Sequence, residues 1–173
     1  MTPSISFEPS ISRPPQRTYF QIVAKTEDET KFCIQAGSTI RLKECNATKE
    51  KQLWKADAFG QLRSFSDEDS CVTRVRRIYH TRENLKVKPC ANTGHPLPEI
   101  FIFNGFQNSI LFIRSNTDWV REGMKAISVN NIANGSKVTL EWHFYGHFDS
   151  EFSQEWDITY PNIKLPESTQ NIE

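Results

Sequence analysis

The chain has 173 residues, which suits one domain with tails, since a core of roughly 130 to 150 residues is near the usual domain size. Its 21 basic and 21 acidic residues give a formal net charge of zero, so the bulk attraction to nucleic acid is absent and no nucleic-acid partner is expected. No run reaches the roughly 18 to 20 apolar residues of a membrane span, which argues against membrane insertion.

The two ends of the chain have the composition of tails. Residues 1–17 alternate Ser and Pro with few large apolar residues, and such a segment cannot bury enough surface to offset its ordering entropy. Residues 161–173 have the same character, with Pro161 and Pro166. We therefore predict a Ser/Pro-rich linker or tail over 1–17, a folded domain over 18–160 and a C-terminal tail over 161–173.

Short runs of β-branched and aromatic residues fill the predicted domain, and polar turns separate them. No long stretch has the helical period. Such runs at this spacing are typical of an all-β sandwich or barrel. The runs are Tyr19–Val23, Thr39–Leu42, Leu85–Val87, Ile100–Phe103, Ser109–Ile113 and Lys137–Trp142. An all-β fold follows as the first prediction.

The chain repeats one plan three times. Gly60–Val72 aligns without gaps on Asn108–Val120, and Phe20–Ile34 follows the same plan with a two-residue insertion. Each unit continues to an alternating strand and closes on an aromatic residue. The closures are Gln52-Leu53-Trp54, Glu99-Ile100-Phe101 and Gln154-Glu155-Trp156. We assign the units to 18–57, 58–105 and 106–160, and because each has one uncovered apolar face, the three must share a core.

The Gln-x-Trp closures, together with one cysteine pair in each of the first two units, resemble the ricin B-chain type lectin family. The resemblance implies a β-trefoil with pseudo-threefold symmetry, in which Trp54, Phe101 and Trp156 meet at the centre. It also implies a non-catalytic lectin-like module that binds carbohydrate, as free glycan or glycoprotein, without a cofactor.

The four cysteines are expected to form disulfides, because no CxxC knuckle is present to favour zinc. In the third unit the ungapped alignment places Trp119 and His143 at the two cysteine positions, so both members of the pair are missing together. Pairing within a unit predicts that pattern and gives Cys33 with Cys45 and Cys71 with Cys90, although the other connectivities remain open.

Two Asn-x-Ser/Thr sequons, at Asn46 and Asn134, are predicted glycosylation sites that operate only in a secretory route. Together with the even number of cysteines they favour an extracellular, secreted glycoprotein. Residues 1–4 do not begin a signal sequence, so that location requires processing or a longer parent protein.

The family's sugar pocket uses four positions in each functional unit: an acid two residues after the first cysteine, a Gln opening the next strand, an aromatic two residues further, and an Asn before Gln-x-Trp. None of the residues found at these places matches. They are Gln35, Arg41, Lys43 and Lys51 in the first unit, Thr73, Lys86, Lys88 and Pro98 in the second, and Arg121, Thr139, Glu141 and Ser153 in the third.

Two other groups are candidate ligand-binding residues. In the third unit the aromatic and polar residues Trp142, His143, Tyr145, His147 and Gln154 would form a platform with a polar rim, unless alternate side chains simply enter the core at a sheet corner. The two histidines are four residues apart in a predicted strand and loop, so no metal site is expected.

In the second unit the cluster Arg74, Arg76 and Arg77 suggests a basic face for sulfated glycans, as in the similar trefoils of fibroblast growth factors. The alternative is a solvated loop balanced by the acidic residues Asp67–Asp69.

No motif of a hydrolase, metalloprotease or nucleotide-binding enzyme is present, so catalysis is not expected. The alternative to glycan binding is a degenerate trefoil that serves as a structural or protein-interaction module, in contact with other chains of a larger extracellular assembly.

Overall fold

The computed structural model describes residues 18–75, 83–91, 99–105, 108–114, 125–142 and 153–161. Within these ranges the regular secondary structure consists of twelve strands and one short 3-10 helix, Glu50–Gln52. The prediction of an all-β fold is confirmed. Over the same ranges no helix has the length and apolar character needed to cross a lipid bilayer.

The strands fall four to each of three consecutive stretches of chain. The first four are β1 (Gln21–Lys25), β2 (Lys31–Gln35), β3 (Arg41–Glu44) and β4 (Trp54–Ala56). The next four are β5 (Leu62–Ser64), β6 (Ser70–Val75), β7 (Glu83–Pro89) and β8 (Glu99–Asn104). The last four are β9 (Ser109–Arg114), β10 (Lys125–Val129), β11 (Val138–Trp142) and β12 (Asp157–Thr159).

Six of the strands form a closed barrel. Antiparallel pairing joins β4 to β5, β8 to β9 and β12 to β1. Between these pairs the wall is closed by backbone bonds that connect the first and last strands of each unit. In the first unit the N–H of Trp54 donates to the carbonyl of Phe20 at 2.8 Å. In the second and third units Phe101 donates in the same way to Gly60 at 3.0 Å, and Trp156 to Asn108 at 2.7 Å. The same contact therefore recurs in all three units.

Three hairpins, β2–β3, β6–β7 and β10–β11, cover one end of the barrel. The starts of their second strands meet at the pseudo-threefold axis, where the N–H of Ile40 donates to the carbonyl of Leu85 at 3.3 Å and that of Val138 donates to Ile40 at 3.0 Å. All three side chains are buried. A barrel of six strands capped by three hairpins is the predicted β-trefoil.

The core contains the three closing aromatic residues. Trp54, Phe101 and Trp156 belong to one buried cluster, with 0%, 7% and 1% of their surface exposed. Each indole also finds a hydrogen-bond acceptor, because Trp54 Nε1 donates to the carbonyl of Ile34 at 3.0 Å and Trp156 Nε1 donates to that of Ile127 at 2.8 Å. The closures therefore anchor the ends of the units in the shared core, as their repetition indicates.

These indole bonds also correct the alignment of the third unit. Since Ile34 and Ile127 accept equivalent bonds, the counterpart of Cys33 is Ala126 and not Trp119. The ungapped alignment is wrong beyond β9, because the chain between β9 and β10, residues 115–124, is longer than the chain between β5 and β6, residues 65–69.

The same correction moves one pocket position. The counterpart of Gln35, two residues after Cys33, is Ser128 rather than Arg121. Trp119 and Arg121 lie outside the described residues.

Both predicted disulfides are present, Cys33–Cys45 and Cys71–Cys90, so the assignment of pairs within units is confirmed. Each joins the first strand of a cap hairpin to the residue that follows its second strand. The argument for pairing within units also holds with the corrected alignment, because the third unit still lacks a cysteine at both of the positions that form the disulfide in the other two units.

Candidate functional site

The pocket position of the first unit is occupied by scaffold contacts. Gln52 is fully buried, and its Nε2 donates to Oε1 of Gln35 at 3.2 Å and to the carbonyl of Glu44 at 2.9 Å. Its Oε1 accepts from the N–H of Asn46 at 2.8 Å. Gln35, which stands where the family has its sugar-binding acid, is therefore part of the network that holds the hairpin.

The third unit repeats this arrangement. Nε2 of Gln154 donates to Oγ of Ser128 at 3.0 Å and to the carbonyl of Trp142 at 2.9 Å. Ser128 stands at the position of the family's acid and therefore provides no carboxylate there. It also has no exposed surface. Two further pocket positions are engaged with each other, because the hydroxyl of Thr139 donates to the buried carboxylate of Glu141 at 3.1 Å. Gln154, a predicted ligand-binding residue, here positions the end of β11.

The second unit contains a buried ionic network next to its closure. Glu99 replaces the Gln of Gln-x-Trp, and its carboxylate lies 3.7 Å from Nε of Arg74. Arg74 is 7% exposed, it pairs with Glu83 at 3.5 Å, and its guanidinium lies 4.8 Å from the ring centre of Phe112. Glu83 is also bound by Nζ of Lys125 at 2.5 Å.

Arg74 is therefore an interior residue and not part of a solvated basic face. Its predicted companions Arg76 and Arg77 lie outside the described residues.

Trp142 is the member of the predicted aromatic platform that the structure describes. It is half-buried at the end of β11, and Nζ of Lys125 lies 4.9 Å from its ring centre. His143, Tyr145 and His147 lie outside the described residues. The hydrogen bond from the Gln154 side chain to the Trp142 carbonyl places these two residues next to each other. The rest of the platform stays a prediction.

Both predicted glycosylation sites are on the surface. Asn46 and Asn134 are exposed, each in or next to a turn. The Oδ1 of Asn46 accepts bonds from the N–H and the hydroxyl of Thr48, at 3.0 and 2.7 Å, which orders the sequon itself. Their accessibility fits glycosylation, which stays a prediction.

A cleft lies between three segments that are distant in sequence, and we call it the interunit cleft. Its walls are the turn 26–30 between β1 and β2, the loop 130–136 between β10 and β11, and the segment 153–157 that leads into β12. It consists of two adjoining depressions of about 300 and 550 Å³, which share Thr26, Glu27 and Ile132.

The turn wall of the cleft is built by local hydrogen bonds. The backbone of Thr26 and Thr30 is joined at 3.0 Å, and Glu29 adopts a positive φ of 70° to complete the turn. The Asp28 carboxylate accepts bonds from the Thr26 hydroxyl and, at 3.2 Å, from the N–H of Thr30. The bond from the Thr26 side chain, followed by those from Thr30, holds the pKa of Asp28 below its usual value. Asp28 is therefore an ionised hydrogen-bond acceptor.

The opposite wall is held by the third unit. Ser153 exchanges two backbone bonds with Val129, at 2.8 and 3.0 Å, which fixes the residue that precedes Gln154. Further along, the Asp157 carboxylate lies 3.8 Å from Nζ of Lys25. Ser153 stands where the lectin family has its pocket Asn, so the cleft adjoins one position of the family's site.

The chemistry of the cleft is that of directed hydrogen bonding around a small apolar patch. The two depressions share the partly buried Ile132 and are lined by the acidic residues Glu27, Asp28, Glu155 and Asp157. Among the described residues, no group of three or more His, Cys, Asp or Glu side chains is arranged to hold a metal ion. Sequence reasoning missed this cleft, and the polar turn Thr26-Glu27-Asp28 was the available signal.

No protein-family model and no curated protein matches the sequence. Solved structures do match it. The β-trefoil lectin of the Vibrio vulnificus hemolysin/cytolysin, with N-acetyl-D-lactosamine bound, aligns at a TM-score of 0.55 and 16% identity over 86% of this chain and 98% of that chain. The chain has the β-trefoil fold of these lectins.

Two further β-trefoil lectins support this conclusion. The C-half of an earthworm R-type lectin in complex with GalNAc aligns at a TM-score of 0.51 and 19% identity, over 83% of this chain and 99% of that chain. The agglutinin from Abrus precatorius aligns at 0.58 and 17% identity over 82% of this chain, which spans 46% of the agglutinin chain. The resemblance to ricin B-type lectins read from the Gln-x-Trp closures is thus confirmed in the fold.

Proposed function

We propose that this β-trefoil is a non-catalytic, extracellular lectin-like module that binds glycan in the interunit cleft. The observation that carries the proposal is the lining of the cleft, where carboxylates and hydroxyls lie together with Ile132 beside the Gln154-Glu155-Trp156 closure. A sugar ring presents an apolar face and a rim of hydroxyl groups, and such a lining matches both features. The lectins with the same fold were solved with sugars bound, which agrees with this proposal.

The residues of the cleft have separate roles in this interaction. Glu155 and Asp157 are exposed and would accept hydrogen bonds from sugar hydroxyls, as would the ionised Asp28. Lys25 lies between Asp157 at 3.8 Å and Glu29 at 3.9 Å, so its ammonium group partly offsets the negative charge of both walls. Hydrogen bonds from sugar hydroxyls to these carboxylates are charge-assisted, and such bonds are about twice as strong as bonds between neutral groups.

The charge of the cleft selects the class of glycan. Among the described residues, four carboxylates line it against one ammonium group, that of Lys25. A sulfated or carboxylated glycan would be repelled at these distances, whereas a neutral one would not. Arg74, the described member of the predicted arginine cluster, lies in the interior and offers no exposed cation to a sulfated ligand. The expected ligands are therefore neutral glycans.

The decisive experiment is a glycan array on the full chain, followed by calorimetric titration of the best neutral glycan. Glu155→Gln removes one exposed carboxylate from the cleft, and Glu50→Gln makes the same change at an exposed residue outside it. Since a hydrogen bond to a charged group contributes about 1.5–3 kcal/mol, Glu155→Gln should weaken binding by about tenfold or more. Glu50→Gln should leave it unchanged. Failure to bind any neutral glycan, or equal effects of both variants, would refute the proposal.

The platform around Trp142, with His143, Tyr145 and His147, is a second location for the same function. Trp142 is half-buried, and Nζ of Lys125 lies 4.9 Å from its ring centre, so part of the ring is accessible for stacking against a sugar. Trp142→Ala distinguishes the two locations, because it should abolish binding at the platform while leaving a cleft-bound glycan in place.

A protein-interaction module is the alternative function, and one surface favours it. Ile102 of β8 and Phe59 of the turn between β4 and β5 are large apolar residues with 48% and 51% of their surface exposed. Contact with another chain of an extracellular assembly would cover them. Light scattering of the full chain, compared with Ile102→Ser, tests whether this surface drives self-association.

A further inference from the structure

The end of the barrel opposite the hairpin cap contains a cavity of about 390 Å³. All six barrel strands, or the residues that directly adjoin them, contribute to its wall. Ile22, Leu62, Phe101 and Ile110 lie inside and are buried, while Phe103 and Tyr160 stand at the rim with 43% and 45% of their surface exposed. The cavity is thus a concave space within the core that opens to solvent.

Among the described residues, the lining of this barrel cavity is apolar and includes no charged side chain. Water in the deep part of the cavity, beside Ile22 and Ile110, meets no polar side chain of the described wall, so its displacement by an apolar molecule is favourable. An empty space of this size would in turn leave the surrounding side chains without van der Waals partners. Both arguments favour an apolar occupant.

We propose that the barrel cavity binds a small, neutral, apolar molecule that enters between Phe103 and Tyr160. Apolar cavities of roughly 150 Å³ bind benzene, so this one accepts a molecule of about two rings. The absence of charge in the wall excludes an anion or cation from the interior, and a polar group of the ligand would remain at the rim beside Tyr160. A folded partner protein is too large to enter a space ringed by six strands, so the proposed ligand is a small molecule, and occupation by the chain's own tails is an outcome that the experiment detects.

Ala56 provides the variant that tests the proposal. It is exposed at the end of β4 and lines the cavity, so Ala56→Phe narrows the opening without adding volume to the packed core. Ala58 is also exposed, two residues further along in the turn, and does not line the cavity. Ala58→Phe therefore makes the same chemical change outside the site.

The experiment titrates the full chain with N-phenyl-1-naphthylamine, a neutral aromatic probe whose fluorescence rises in apolar surroundings. We expect saturable binding of one probe per chain, weakened at least tenfold by Ala56→Phe and unchanged by Ala58→Phe. No saturable binding to the full chain would overturn the proposal, since it would mean that the chain's own tails or side chains fill the space. Equal binding by both variants would overturn it as well.

A second measurement does not depend on any variant. In the wild-type chain, bound probe should give nuclear Overhauser contacts to the methyl groups of Ile22 and Ile110, deep in the cavity. Contacts confined to other methyl groups would refute the assignment. Because the barrel cavity and the interunit cleft share no residue, the outcome is independent of glycan binding.

Discussion

The side chain of Gln61 forms two hydrogen bonds with the backbone of Ala91: its Oε1 accepts from the N–H at 3.0 Å, and its Nε2 donates to the carbonyl at 2.9 Å. In the first unit the residue equivalent to Ala91 is Asn46, whose N–H is accepted by Gln52 of the Gln-x-Trp closure. The second unit has Glu99 at the place of that Gln. Gln61, the residue that precedes β5, thus supplies the amide that the degenerate closure lacks.

Loss of the Gln61 amide should therefore destabilise the fold. Gln61 and Ala91 are 2% and 7% exposed, so Gln61→Ala leaves a buried N–H and a buried carbonyl without these partners. At about 1–3 kcal/mol for each unsatisfied group, we expect the free energy of unfolding to fall by about 2–4 kcal/mol. Urea denaturation measures it, with Lys51→Ala on the surface as the control. A loss below about 1 kcal/mol would contradict the role assigned to Gln61.

The buried ionic network predicts an asymmetry between its members. Glu83 compensates two cations, Arg74 at 3.5 Å and Lys125 at 2.5 Å, and only 3% of its side-chain surface is exposed. Glu83→Gln would leave Lys125 uncompensated in the interior and Arg74 with Glu99 alone, at a cost of about 3–5 kcal/mol. Arg74→Met should cost less, because Glu83 keeps its bond to Lys125 and 22% of the Glu99 side chain remains exposed to solvent.

Guanidinium denaturation of the two variants tests this order. The comparison is internal, since both changes remove one charge from the same network and differ only in what they leave behind. Equal losses, or a larger loss for Arg74→Met, would show that Glu83 is not the centre of the network.

Asp57 should make stability depend on pH in the acid range. Burial raises the pKa of its carboxyl, but the backbone N–H of Gln61, the guanidinium of Arg63 and the N–H of Phe59 together outweigh burial and lower it. The folded pKa thus lies below the unfolded value of about 3.9, so the unfolded chain binds more protons in this range. The contribution is complete above the unfolded pKa and is lost as the pH falls through the folded one.

The matching measurement compares the wild type with Asp57→Asn in urea across the acid range. The variant should be less stable at neutral pH, and the difference should shrink below about pH 4. Asp69→Asn, at an exposed residue, is the control. A difference that stays constant down to strongly acid pH would exclude the ionised carboxylate as its source.

The repeat could be predicted from sequence because its anchors are chemical. Trp54 and Trp156 carry an apolar ring and one N–H, and both features are satisfied in the same way, by the core and by a carbonyl of the preceding hairpin. The two cysteine pairs could be predicted as well, because a disulfide is also a chemical anchor. The register of the third unit did not, because a longer connection between β9 and β10 shifts Ala126 into the place given to Trp119.

Burial of charge and the interunit cleft depend on contacts that a linear pattern does not contain. Arg74 belongs to a basic cluster in sequence. Its ion-pair partners Glu83 and Glu99 come from two other strands, and these pairs allow its guanidinium to be buried. The cleft likewise joins turn 26–30 to segment 153–157, at opposite ends of the domain. Only the closure of β12 on β1 brings these two segments together.

Glycosylation is the last prediction, and it bears on both the compartment and the cleft. Asn46 and Asn134 are exposed, so both should carry N-linked glycan when the full chain passes through a secretory route. Mass spectrometry before and after enzymatic deglycosylation should show two glycans, and Asn46→Gln and Asn134→Gln should each remove one. A chain that has both disulfides but no glycan would contradict this prediction, because it would have met an oxidising environment without being glycosylated.

The two sites should differ in their effect on ligand binding. Asn134 lines the second depression of the interunit cleft, whereas Asn46 does not line either depression. A glycan on Asn134 would stand at the rim and compete for the space, so Asn134→Gln should bind neutral glycan more tightly than the glycosylated wild type. Asn46→Gln should bind like the wild type. If the two variants behave alike, the ligand lies outside the cleft, and the platform at Trp142 becomes the site to test.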